Sequence, residues 1–125
     1  MALADERYVS LTTFRRDGSP VATPVWVAGH EGRLLVWTGA GTHKVQRLRR
    51  DPRVLVAPST GRGEVTGGAV AGTAVVLEDT TLVLRLLGEK YGLQFRLLRR
   101  FNALVRVLRR RPQGRSVTLE IRLDE

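Results

Sequence analysis

Leu34-Leu35-Val36-Trp37-Thr38-Gly39-Ala40-Gly41-Thr42-His43-Lys44-Val45-Gln46-Arg47-Leu48-Arg49-Arg50-Asp51-Pro52-Arg53-Val54 reads as an apolar strand, a glycine-rich turn, a short basic helix, a proline stop and the start of another strand. A strand that runs through such a turn into a helix start presents backbone N–H groups to an anion. Thr42 occupies the N-cap position, and Lys44 and Arg47 follow at i,i+3 spacing on one face. Two readings stand for this stretch: a phosphate cradle, or a solvated basic helix between two strands.

Outward from this segment, residues 8–14 have strand composition. Arg15-Arg16-Asp17-Gly18-Ser19-Pro20 supplies a turn, so 8–28 reads as a hairpin whose second strand is 21–28. His30-Glu31-Gly32 is the next turn, and the apolar run 33–38 predicts a strand buried on both sides. The basic helix covers 42–50 and stops at Pro52. Further strands follow at 53–58 and 69–77, the latter rich in small residues that admit a second backbone or a flat ligand. Residues from about 79 to 111 are helical in pattern, interrupted near Gly88 and Gly92 and ended by Pro112 and Gly114. The alternation of Val117, Leu119 and Ile121 against Thr118, Glu120 and Arg122 predicts a half-buried closing strand. Six strands with a helix after the third suggest a mainly β fold, an antiparallel barrel that removes its own edges by closure.

The chain has 125 residues, which suits one domain, 1–125, with one core. It has no cysteine, so disulfides and cysteine-based metal sites are excluded, and two histidines, His30 and His43, are too few for a His-rich site; no metal is expected. The first six residues are short and acidic and lack the features of a signal peptide. No apolar run approaches a membrane span. The expected location is cytoplasmic.

The net charge is +9 and its placement is uneven: residues 85–115 hold ten Lys/Arg and one acid, Glu89. Leu97, Leu98, Phe101, Leu104, Val105 and Leu108 recur at helical spacing, with Arg96, Arg99, Arg100, Arg106, Arg109, Arg110 and Arg111 largely off that stripe. The favoured reading is a helix docked on the barrel by its apolar stripe, its basic face wet. The alternatives are a peripheral membrane contact through 96–111 or a rim that attracts an anionic cofactor tail. Nucleic acid is not an expected partner.

No nucleophile–base pair is visible, so a hydrolytic triad is disfavoured. Gly39-Ala40-Gly41 lacks the third glycine of a dinucleotide fingerprint, and no Walker sequence occurs. What remains is an organic redox cofactor, which carries the chemistry while the protein binds and orients.

The ordered set Tyr8-Val9-Ser10-Leu11-Thr12-Thr13-Phe14, Val21-Ala22-Thr23-Pro24-Val25-Trp26-Val27, the "VWTG" strand end, "K-x-x-R-L-R-R-D-P-R-V", Val70-Ala71-Gly72-Thr73-Ala74 and Lys90-Tyr91-Gly92 resembles the pyridoxamine 5'-phosphate oxidase-like (PPOX class) flavoproteins. It is most similar to their actinobacterial branch that uses the deazaflavin coenzyme F420. The resemblance implies a six-stranded antiparallel split β-barrel, of the FMN-binding split-barrel type, acting as a homodimer with sites at the interface. It implies a cofactor ring against Thr23, Pro24, Val25 and Trp26, with strand irregularity there freeing backbone groups for the ring edge. Trp37 and Thr38 would lie near the ribityl or phosphate region, and Thr42, Lys44 and Arg47 would hold the phosphate or anionic tail. Arg49, Arg50, Arg53 and Arg62 favour the more anionic deazaflavin over FMN. The implied activity is an F420-dependent oxidoreductase that passes hydride to an unsaturated or conjugated acceptor. The alternatives are an FMN-dependent pyridoxamine phosphate oxidase-like enzyme, or a non-catalytic flavin- or haem-binding module. No residue is assigned as catalytic; Tyr91 is read as core packing.

Overall fold

The computed structural model describes residues 3–109 and 115–124. Strands β1 (Tyr8–Phe14), β2 (Pro20–Val25), β3 (Ala28–His30), β4 (Arg33–Gly39), β5 (Arg53–Ser59), β6 (Val70–Leu77) and β7 (Ser116–Leu123) form one sheet in the order β2-β1-β5-β6-β7-β4-β3. Every pairing is antiparallel. Three helices are inserted: α1 (His43–Arg50), α2 (Thr81–Tyr91) and α3 (Leu93–Arg109).

The two edges of this sheet are consecutive in the chain. Only Trp26 and Val27 lie between the end of β2 at one edge and the start of β3 at the other. Three residue steps reach roughly 11 Å at most, so the sheet must curl until its edges meet. The single strand expected over 21–28 is therefore divided between the two edges, which is the split of the barrel. The turn that follows has positive φ at Glu31 (50°) and Gly32 (77°), a pairing that suits a tight hairpin.

The barrel interior is filled by Val9, Leu11, Val27, Leu34, Val36, Val54, Val56, Ala74, Val117, Leu119 and Ile121, and α1 closes one end with Val45 and Leu48. Burying each such aliphatic side chain contributes about 1.5–3 kcal/mol. A second cluster sits on the outer face, where Ala28 and Leu35 meet Val83, Leu87 and Tyr91 of α2 and Phe95 of α3. Strand β4 faces both clusters: Leu34 and Val36 point inward and Leu35 outward, which is why its sequence is continuously apolar.

The helical segment departs from expectation in two ways. Gly88 lies within α2, and the break falls at Gly92 alone, where φ is +58°. Moreover, the described members of the stripe expected to dock α3 do not pack on the barrel: Leu97, Leu98 and Phe101 are 55%, 38% and 62% exposed. Among the described side chains of α3, Phe95 is the buried one, filling the space beside Tyr91 and Trp37. The side chains of Leu104, Val105, Arg106, Leu108 and Arg109, and Arg110, Arg111, Pro112 and Gly114 altogether, lie outside the described residues.

A cationic cluster and an aromatic cluster form the candidate site

Helix α1 lies against the far end of β1. Arg47 Nε donates to Thr13 Oγ1 at 2.7 Å, and Arg50 Nη2 donates to the Phe14 carbonyl at 2.7 Å. Lys44 and Arg47 are partly buried, and burial, before the like charge of Arg47, pushes the Lys44 amine below its ordinary value. Burial again leads for Arg47, followed by repulsion from Arg15 and Arg50. Among the described residues no carboxylate pairs with Lys44, Arg47 or Arg50. Lys44 and Arg47 are partly desolvated like charges without a paired carboxylate, so they raise one another's energy, and a bound anion relieves that cost; Arg50 is exposed and also acts on Asp51.

Thr42 stands at the N-cap of α1 but does not cap it. Its hydroxyl donates back to the Gly39 carbonyl at 2.9 Å, and no side chain takes the N–H groups of the first turn. The helix start is thus left to another acceptor. Arg53 does not join the cluster: it forms a bidentate pair with Asp51, with Nη2 2.8 Å from Oδ2, and holds the Asp51 carboxyl down to about 2. Arg49 and Arg62 are exposed. Arg15 and Thr13 are the members that the local sequence does not announce, because the fold brings them to α1 from the end of β1 and its hairpin.

The aromatic residues gather elsewhere, between the sheet and α2–α3. Trp26 stacks on Tyr91 with ring centroids 4.4 Å apart and planes 6° from parallel. Phe95 touches both tryptophans, tilted against Trp26 at 6.2 Å and edge-on to Trp37 at 5.6 Å. The Trp37 indole N–H is buried without an acceptor, the one buried side-chain polar atom so placed among the described residues. An orphan donor of this kind costs about 1–3 kcal/mol until an acceptor reaches it.

Thr23, Pro24 and Val25 lie on the β2 edge, opposite Leu11, Ser10 and Val9. Pro24 is exposed and interrupts the donor pattern of that edge. Past the end of β2, the backbone groups of Val27 are already taken. Its N–H is taken by the Tyr91 hydroxyl (3.1 Å), and its carbonyl by Lys90 Nζ (2.7 Å). Thr38 sits opposite Val117 on β4, one residue beyond Trp37. The structure therefore joins Trp26 with Trp37, and Lys44 with Arg47. It leaves Thr23–Val25 on a separate edge.

A cleft of about 310 Å³ opens between β3, β4, β7 and the start of α2, lined by His30, Arg33, Asp79, Leu82, Thr118 and Glu120 among others. It contains none of the nine expected site residues. Its polar groups are largely satisfied: Glu120 meets Arg33 at 2.9 Å, and the Thr118 hydroxyl donates to the Asp79 carbonyl at 2.8 Å.

Comparison with known proteins gives the frame for these clusters. Among solved structures the chain is similar to an F420 reductase, at 18% identity and TM-score 0.64, covering 98% of this chain and 91% of that one. It is similar to the conserved hypothetical protein Rv2991 from Mycobacterium tuberculosis, at 23% identity and TM-score 0.67, covering 100% and 82%. It is also similar to the haem storage protein HutZ from Vibrio cholerae, at 13% identity and TM-score 0.67, covering 96% and 83%. At these identities the likeness is one of fold. No curated protein matches the chain. The family model described as "Pyridoxamine 5'-phosphate oxidase" matches residues 2–123, nearly the whole sequence. That family includes flavin- and F420-dependent oxidoreductases and haem-binding proteins. The split barrel, its end-capping basic helix and the extent of the match make this chain a member of the pyridoxamine 5'-phosphate oxidase family.

Proposed function

We propose that this protein is a reductase that uses the deazaflavin F420, with a conjugated or unsaturated organic acceptor. The observation that carries this reading is the partly buried pair Lys44 and Arg47, with no carboxylate against them and with Arg15 and Arg50 beside them, at the uncapped start of α1. F420 bears a phosphodiester and a carboxylate tail, so it presents several negative charges in a row. Several fixed cations suit it better than they suit one phosphate. A second group that lacks a partner, the buried Trp37 N–H, lies in the separate aromatic cluster.

When bound, the reduced deazaflavin supplies the hydride. The chain's part is binding and exclusion of water. Lys44 and Arg47 hold the anionic tail, and the first-turn N–H groups of α1 add to it. The free edge of β2 at Thr23–Val25 offers backbone groups to a ring edge, and Trp26 and Trp37 wall the site with apolar surface. Tyr91 is excluded as proton donor, because its hydroxyl is held by Arg7 and Val27 in the outer core. No residue of these clusters is assigned as general acid, and the reading takes the proton from water.

The reading includes a two-fold dimer, since one small barrel gives a large flat ligand little cover. The outward residues of β6 support it: Ala71, Thr73, Val75 and Leu77 form an exposed row of small and apolar side chains. Purification from a host that makes both cofactors tests the whole. The co-purifying chromophore should have the absorption and mass of a deazaflavin; stoichiometric FMN or haem in its place would refute the assignment.

A further inference from the structure

Helix α3 turns two different sides to its surroundings. One side is fixed to the protein through Phe95, which is 3% exposed, and through the hydrogen bond from Arg7 to Gln94. The other carries Leu93, Leu97 and Phe101, four residues apart and so aligned in one row, at 70%, 55% and 62% exposure. Leu98 widens the row, and Arg96, Arg99 and Arg100 are exposed alongside it. From Leu93 to Arg115 the sequence contains eight arginines and no Asp or Glu. No helix among the described residues is long and apolar enough to cross a membrane.

We infer that α3 is a docking surface for an anionic phospholipid bilayer, lying in its interface with the Leu93–Leu97–Phe101 row inserted and the arginines at headgroup level. The chemistry separates this partner from its competitors. A nucleic acid would pair with the arginines but leave the apolar row in water. A second copy of the chain packed symmetrically on this helix would set arginines against arginines, with no acid in the segment to offset them. An anionic lipid surface satisfies both halves at once, since apolar insertion and headgroup attraction add. The inference does not depend on the cofactor reading.

The test is co-sedimentation of the full-length protein with unilamellar vesicles of phosphatidylglycerol and phosphatidylcholine, and with phosphatidylcholine alone. Binding to the anionic vesicles should be at least tenfold stronger and should weaken as salt rises. The double variant Leu97→Ser/Phe101→Ser should lose at least tenfold in vesicle binding with an unchanged melting temperature, both side chains being exposed. Arg96→Gln/Arg100→Gln should also weaken binding and flatten its salt dependence. The inference is overturned if wild-type protein ignores anionic vesicles. It is equally overturned if the Leu97/Phe101 variant binds vesicles like wild type, or if that variant instead dissociates an oligomer in solution.

Discussion

The phenol of Tyr91 lies flat on the indole of Trp26, and its hydroxyl reaches past the ring to the backbone of Val27. One side chain of α2 thereby fixes the two residues at which the barrel is split. The hydroxyl also donates to the Arg7 carbonyl at 2.7 Å, and neighbouring Lys90 binds the carbonyls of Ala4, Glu6 and Val27 at 2.7 Å each. Tyr91→Phe keeps the stack and strands the Val27 N–H, so it should cost about 1–3 kcal/mol of stability. Tyr91→Leu should cost more, by the stacking contribution of about 0.5–1.5 kcal/mol. Equilibrium denaturation of both variants checks the order.

At Gly72 the backbone of β7 closes on β6 and leaves no room for a side chain. A Cβ there would lie 2.5 Å from the Arg122 carbonyl oxygen, a backbone atom that cannot swing away. Gly72→Ala should destabilise by about 1–3 kcal/mol, the usual cost of overpacking. Gly41→Ala is the control: nothing lies within 4 Å of its Cβ, and its φ is not left-handed. It should be neutral or slightly stabilising in the same thermal melts.

The glycine-rich entry to β6, Val65 to Gly68, is small and apolar enough to pack against a two-fold mate, and Gly68 tests the dimer better than Gly67 does. A Cβ on Gly67 would strike Pro58 Cγ at 2.7 Å within the same chain, which confuses folding with assembly, whereas Gly68 has open space. Gly68→Glu should keep the monomer fold and weaken self-association, as read by analytical ultracentrifugation. An unchanged dimer constant would remove this loop from the interface.

Lys44 gives a pH dependence with two opposite signs. Burial, and then Arg47, lower its folded-state value below the ordinary 10.5 of the unfolded chain. Between the two values the unfolded state holds more protons, so the stability of the free protein should rise with pH just below 10.5. Anion binding needs the charged amine and should fall over the same window. Lys44→Arg should abolish both trends, and Lys44→Ala should weaken cofactor binding by about 1.5–3 kcal/mol without unfolding the protein. Parallel melts and titrations across alkaline pH would show parallel slopes if Lys44 were not the group responsible.

Much of this molecule is legible in the sequence where the signal is local. Tyr8–Phe14 is a strand over the expected range, and Leu34–Val36 is buried on both sides as its unbroken apolar run requires. Pro52 follows the helix that it was expected to stop. The break at Trp26–Val27 is not legible, because its cause is Tyr91 and Lys90, more than sixty positions away. Periodicity likewise marks Leu97 and Phe101 as one face but does not say whether that face meets protein or something else. Within the site, Lys44 and Arg47 pair as their spacing implies, yet Arg15 joins them only through the fold, and Arg53 is removed by Asp51, two residues before it. The cleft at His30 and Glu120 draws on four elements and has no single sequence signature.

The proposed F420 dependence requires that the cationic end of the barrel select a deazaflavin tail. Isothermal titration of the purified, cofactor-free protein with F420 and with FMN, at low and high salt, reads this selection. F420 should bind more tightly, and its advantage should shrink as salt screens the exposed part of the cluster. FMN binding as tightly as F420, or an F420 affinity indifferent to salt and to Lys44→Ala, would rule out this role for the cationic cluster.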